Sequence, residues 1–108
     1  MTPEEWRARL IEEQRELETL SRDSSEGRGA VTLDQQSVGR VSRIDAMQQQ
    51  AMAQEAERRR LLRRRRIESA LKRLDEGDFG YCVHCGEAIA EERLKFDPTV
   101  PSCVACAK

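Results

Sequence analysis

Aromatic residues are scarce: one Trp, one Tyr and two Phe, together 4% of 108 residues. Beside 36% charged residues, that leaves too little large apolar surface for a conventional globular core of this length. There is one histidine, and no Ser/His/Asp set, glycine-rich phosphate loop or open metal site stands out, so an enzyme is not expected. No run approaches the roughly 18 consecutive apolar residues of a membrane span. The opening Met-Thr-Pro-Glu-Glu-Trp is acidic rather than basic-then-apolar, which predicts no export signal, a cytoplasmic location and no membrane partner. Neither sign of charge dominates, with 19 basic and 20 acidic residues and a net charge of −1, which argues against bulk affinity for nucleic acid.

What the chain does have is helix formers and an uneven distribution of charge. Ala, Glu, Arg, Leu and Gln all favour helix, so long solvated helices are expected rather than disorder. Residues 1–26 carry net −4, 27–56 zero, 57–73 net +7 and 74–108 net −4, so the basic charge forms one band. Thr2-Pro3-Glu4-Glu5 reads as a helix start, with Thr2 capping, Pro3 in the first turn and Glu5 completing a capping box. Trp6, Leu10, Leu17 and Leu20 then form one apolar seam, and Asp23-Ser24-Ser25-Glu26-Gly27-Arg28-Gly29 ends the helix near Arg22. From about Asp34 or Ser37 to Leu74 there is no proline and only Gly39, which predicts a second helix roughly 55–60 Å long. Its apolar side holds Val38, Val41, Met52, Ala56, Ile67, Ala70, Leu71 and Leu74, interrupted by Arg60 and Arg63. Gly77 is placed to cap its end. The expected fold is mostly α: an antiparallel helical hairpin over 1–76, short helix first, with a tip loop at about 23–36. Folding back there would set Leu20 beside Val38 or Val41 and Trp6 beside residues 52–56, leaving the basic half of the second helix uncovered.

Four cysteines lie within the last 27 residues. Cys82-Val83-His84-Cys85 and Cys103-Val104-Ala105-Cys106 are two C-x-x-C pairs separated by 17 residues, the spacing of a four-cysteine zinc site over 77–108. Four thiolates close a tetrahedral shell with no open position, which predicts one structural zinc. Such binding is worth roughly 10–16 kcal/mol in small zinc peptides, enough to replace a missing core. A dithiol redox centre would call for a single pair beside a βαβ pattern, which the chain lacks. His84, between two ligands, reads as a solvent-facing knuckle residue, with ligand replacement as the alternative.

The string Asp75-Glu76-Gly77-Asp78-Phe79-Gly80-Tyr81-Cys82-x-x-Cys85-Gly86-x-x-Ile89, followed by Arg93-Leu94, Pro98 and Cys103-x-x-Cys106, resembles the C4 zinc finger of the DksA/TraR family of bacterial transcription regulators. The resemblance implies a coiled-coil hairpin joined to the finger. It also implies entry into the secondary channel of RNA polymerase without direct DNA binding, alongside a nucleotide alarmone. The family's hairpin tip carries a D-x-x-D-x-A pattern. Here Asp34-Gln35-Gln36-Ser37-Val38-Gly39 keeps only its first position, and Asp45-Ala46 follows further on, so Asp34 and Asp45 are the tip candidates. A loop or N-cap role for Asp34 and a solvated helix face for Asp45 are the alternatives.

The basic band comprises Arg58, Arg59, Arg60, Arg63, Arg64, Arg65 and Arg66, which cover most of the helix circumference. It could meet an acidic polymerase surface, a nucleic-acid backbone, an alarmone phosphate or the acidic first helix of another copy, or simply form a solvated rod. Leu61 and Leu62 within it would serve a homodimer or cover the finger, although a monomer is expected. The expected function is thus regulation of transcription through RNA polymerase. The rival is a zinc-stabilised scaffold that binds nucleic acid or protein through the arginines.

Overall fold

The computed structural model describes residues 1–24 and 40–107. Three helices dominate them: α1 (Pro3–Asp23), α2 (Arg40–Glu76) and α3 (Glu91–Phe96). Extended pairing among the described residues is confined to an isolated antiparallel bridge between Tyr81 and Ala88, so the chain is mostly α. Among the described residues, no helix is long and apolar enough to cross a membrane. Of the expected tip loop, Asp23 still belongs to α1, and the loop from residue 25 on, Asp34 and the expected start of the second helix lie outside the described residues.

The helix ends form where the local sequence dictates. Thr2 Oγ1 accepts a hydrogen bond from the Glu5 N–H at 3.2 Å and donates to the Glu5 carboxylate at 3.4 Å, satisfying one of the free amides of the first turn. At the other end, Gly77 adopts φ +79°, and two reversed hydrogen bonds close α2: Gly77 N–H to Leu74 O at 3.3 Å and Asp78 N–H to Arg73 O at 2.8 Å. This is the Schellman arrangement, which needs a left-handed residue after the helix and therefore favours glycine.

The chain forms two compact units, one of residues 1–15 with 63–108 and one of residues 16–62. In the first unit the two helices run antiparallel, as Arg7 Nη2 meets Asp75 Oδ1 at 2.6 Å and Arg63 Nε meets Glu13 Oε1 at 2.7 Å. Leu10, Ile67 and Ala70 are fully buried, while Trp6, Cys82, Ile89 and Leu94 make a core against which Leu74, Phe79, Val100, Cys103 and Cys106 pack. Trp6 is therefore in the finger's core and not beside residues 52–56, where Met52 is 72% exposed. The expected register assumed a tight fold-back. The register found is the one that gives the aromatic-poor finger a large side chain and pairs the charges of α1 with those of α2. It also covers part of the basic half: Arg63 lies against α1 instead of being free of it.

In the second unit, buried Glu57 pairs with Arg60 at 2.9 Å, and Arg60 Nη2 donates to Ser24 Oγ at 2.8 Å. Leu20 is 53% exposed, and Ser24 at the end of α1 meets Arg60, whereas Val38, one of the partners expected for Leu20, lies outside the described residues. Leu61 and Leu62 are exposed too.

Candidate metal centre

Two tight turns bring the cysteines together. In the first, the Gly86 N–H donates to Cys82 O at 2.9 Å and the Cys82 N–H to Glu87 O at 2.8 Å, with Gly86 at φ +78° to reverse the chain. The Ile89 N–H donates to Gly80 O at 2.7 Å and fastens the base of this hairpin. In the second, the Cys106 and Ala107 N–H groups both donate to Cys103 O, at 3.1 and 3.0 Å. A bond from the Val83 N–H to Pro101 O at 2.9 Å ties one turn to the approach of the other.

The sulfurs of Cys82, Cys85, Cys103 and Cys106 all lie within 4.8 Å of one another, and Cys85 Sγ is 3.7 Å from Cys103 Sγ. Four sulfurs tetrahedrally placed at a Zn–S distance of about 2.3 Å are about 3.8 Å apart, so the tetrad can hold one such ion with little movement. The electrostatics favour a cation as well. The Cys103, Cys85 and His84 amides draw the Cys82 thiol down to about 5, with the His84 N–H 3.4 Å from its sulfur. The neighbouring thiols of Cys103, Cys82 and Cys85 push Cys106 up to about 12. Four thiols this close cannot all ionise unaided, and a central dication removes that conflict. His84 is exposed, and its ring is not in the cluster.

Residues 77–108 match the prokaryotic dksA/traR C4-type zinc finger family. They are a DksA/TraR zinc finger. The family is a C4-type zinc finger and the four cysteines fit one structural zinc: Cys82, Cys85, Cys103 and Cys106 would hold it, and the ion would supply a cross-link in place of a large apolar core. The chain is 50% identical over 42 residues to the RNA polymerase-binding transcription factor DksA of Haemophilus influenzae, covering 39% of this chain and 29% of that protein. It is 43% identical over 42 residues to the factor of the same name from Escherichia coli, covering 39% and 28%. The matches thus span less than a third of these curated relatives. The fold is shared more widely: transcription factor DksA2 from Pseudomonas aeruginosa superposes with a TM-score of 0.78 at 23% identity, over 97% of this chain and 79% of that one.

The structure distributes the other candidate residues unevenly. Arg58 is exposed and holds Glu55 at 2.7 Å, whereas Arg60 is occupied by Glu57 and Ser24. Arg59, Arg65 and Arg66 are exposed, Arg64 is half-buried, and Asp45 is exposed on α2.

Arg63 joins three parts of the first unit. Besides gripping Glu13, its Nη1 donates to Asp97 Oδ1 and to Thr99 Oγ1, each at 2.9 Å. Asp97 Oδ1 also accepts from the Thr99 amide and hydroxyl at 3.0 and 2.7 Å. Burial disfavours the Asp97 carboxylate, yet the Thr99 bonds and Arg63 outweigh it and hold the group below the usual range. The Glu13 bond is the chief reason the Arg63 guanidinium is held above its ordinary value. This clamp joins α1, α2 and the chain leading to Cys103. Sequence reasoning did not find it, although one signal was there: Arg63 interrupts an apolar helix side, and an arginine on such a side needs partners.

Proposed function

We propose that this chain is a bacterial transcription regulator of the DksA/TraR type. On this reading it binds RNA polymerase in the secondary channel and does not read DNA sequence. The observation that carries the reading is its similarity to proteins named as RNA polymerase-binding transcription factors, supported by a fold common to DksA2 over nearly the whole chain. Cys82, Cys85, Cys103 and Cys106 are its zinc ligands, and the zinc is structural. The protein is a cytoplasmic, monomeric non-enzyme. Exposed Arg59, Arg65 and Arg66 supply cationic contacts to polymerase, and Asp34 and Asp45 supply the acidic groups that act once it is docked. A nucleotide alarmone modulates the effect.

Binding of the full chain to purified bacterial RNA polymerase tests this, with competition by a known secondary-channel binder and with and without the alarmone. Saturable, competed binding that weakens as salt rises is expected, because exposed charge pairs are screened over about 10 Å at 0.1 M ionic strength. Absence of polymerase binding at low salt, together with tight association with nucleic acid, would replace the reading with that of an arginine-based scaffold.

A further inference from the structure

We propose that Trp6, near the start of α1, is a positioning residue of the zinc centre, so that the first helix is part of the finger's metal-binding apparatus. The ring is only 6% exposed and belongs to the same buried cluster as Cys82, with Cys103 and Cys106 packed against that cluster. It meets the Phe79 ring at a centroid separation of 5.4 Å and a tilt of 49°, and the Arg9 guanidinium lies 5.8 Å from its own centroid. The finger cannot supply this bulk itself. Of its aromatic residues, Tyr81 and Phe96 are exposed, which leaves Phe79 as the only one facing the core.

The position of Trp6 is built, since two long-range ion pairs hold α1 in register. Arg7 is paired with Asp75 and Glu13 is gripped by Arg63, while Thr2 caps the first turn of the helix itself. The apolar shell around a metal site controls water access and local dielectric, and metal affinity includes the free energy of folding the site. Removing the largest side chain of that shell lets water reach the Cys82 side of the tetrad and loosens the turns that aim its sulfurs. By linkage, zinc then favours the docked state of α1 as much as docked α1 favours zinc.

This proposal rests on the four-cysteine ligand assignment, and the experiment separates the two. Zinc affinity of the full-length protein is measured by competition with a chromophoric chelator for wild type, Trp6→Ala, Trp6→Phe and Leu10→Ala, and Co²⁺ absorption is recorded for each. Leu10 is equally buried in the same unit but lies outside the cluster holding the cysteines, so it controls for general loss of stability. Trp6→Ala is expected to weaken zinc by at least about tenfold, the lower end of what substitutions around a metal site cost, and to alter the Co²⁺–thiolate bands. Trp6→Phe restores most of the affinity, and Leu10→Ala, which loosens α1 without opening the shell around the cysteines, lowers the melting temperature at least as far while costing clearly less affinity than Trp6→Ala. In the wild type, the emission of this single tryptophan shifts to the red when zinc is chelated. Unchanged affinity in Trp6→Ala, an equal loss in Leu10→Ala, or emission indifferent to chelation overturns the positioning role alone. A wild-type protein without stoichiometric zinc overturns the ligand assignment with it.

Discussion

The Arg63 guanidinium holds the Glu13 carboxylate through two roughly parallel hydrogen bonds, Nε to Oε1 at 2.7 Å and Nη2 to Oε2 at 3.1 Å. The remaining nitrogen, Nη1, reaches Asp97 and Thr99. One side chain thus spans both helices and the finger, using the planar fork that distinguishes arginine from lysine.

Replacing Arg63 by Ala should destabilise the protein by about 1–3 kcal/mol, since Glu13 and Asp97 would be left partly buried without their cation. Some solvent access to all three side chains keeps the cost below that of a fully buried pair. Arg63→Lys should recover only part of it, because an ammonium cannot reproduce the fork. Thermal denaturation of the zinc-loaded proteins checks the order: wild type, then Lys, then Ala.

The clamp also sets an acid limit. With the folded-state pKa of Asp97 held below its ordinary 3.8, its contribution is complete well above 3.8 and is lost as pH falls through the lowered folded-state value. Asp97→Asn removes this carboxylate at every pH. The stability gap between wild type and Asp97→Asn, measured with excess zinc, should therefore be widest near neutrality and begin to close below about pH 5. A gap that widens on acidification would contradict the assignment.

Replacing any one of Cys82, Cys85, Cys103 or Cys106 by Ser should abolish stoichiometric zinc and unfold the finger, a loss on the order of 10 kcal/mol of binding free energy in small zinc peptides. Because the ligands bind as thiolates, acidification should release the metal as well. Metal analysis and Trp6 emission, followed together, report the two events.

Gly77→Ala isolates backbone strain. A Cβ there would meet nothing within 4 Å, so the cost is that of φ +79° alone, about 1 kcal/mol. A fall of several degrees in melting temperature is expected for a unit of this size, and Gly77→Asn should fall less.

Reversing the exposed Arg65 and Arg66 to Glu should leave the melting temperature nearly unchanged, within about 0.5 kcal/mol, while weakening polymerase binding. Asp45→Asn should leave binding intact and alter the transcriptional readout. Calorimetry and a direct binding assay distinguish these outcomes from a folding defect.

Short-range features of this chain follow from the sequence alone. The Thr2 cap, the left-handed Gly77, the helical character of α1 and α2 and the two cysteine turns each depend on residues a few positions apart, where hydrogen-bond reach and allowed φ decide the outcome. The metal site was legible for the same reason, since each C-x-x-C pair aims two sulfurs together before the rest of the chain is in place. The helix register was not. An apolar seam repeats along its helix and can be satisfied at several offsets, so Trp6 opposite residues 52–56 and Trp6 in the finger were equally compatible with periodicity. Only the tertiary structure decided between them, through contacts between residues 50 and 34 positions apart, from Arg63 to Glu13 and to Asp97. The physical reason is that burial of Trp6 and satisfaction of a half-buried arginine are achieved together at one offset, and neither condition can be evaluated from one helix at a time.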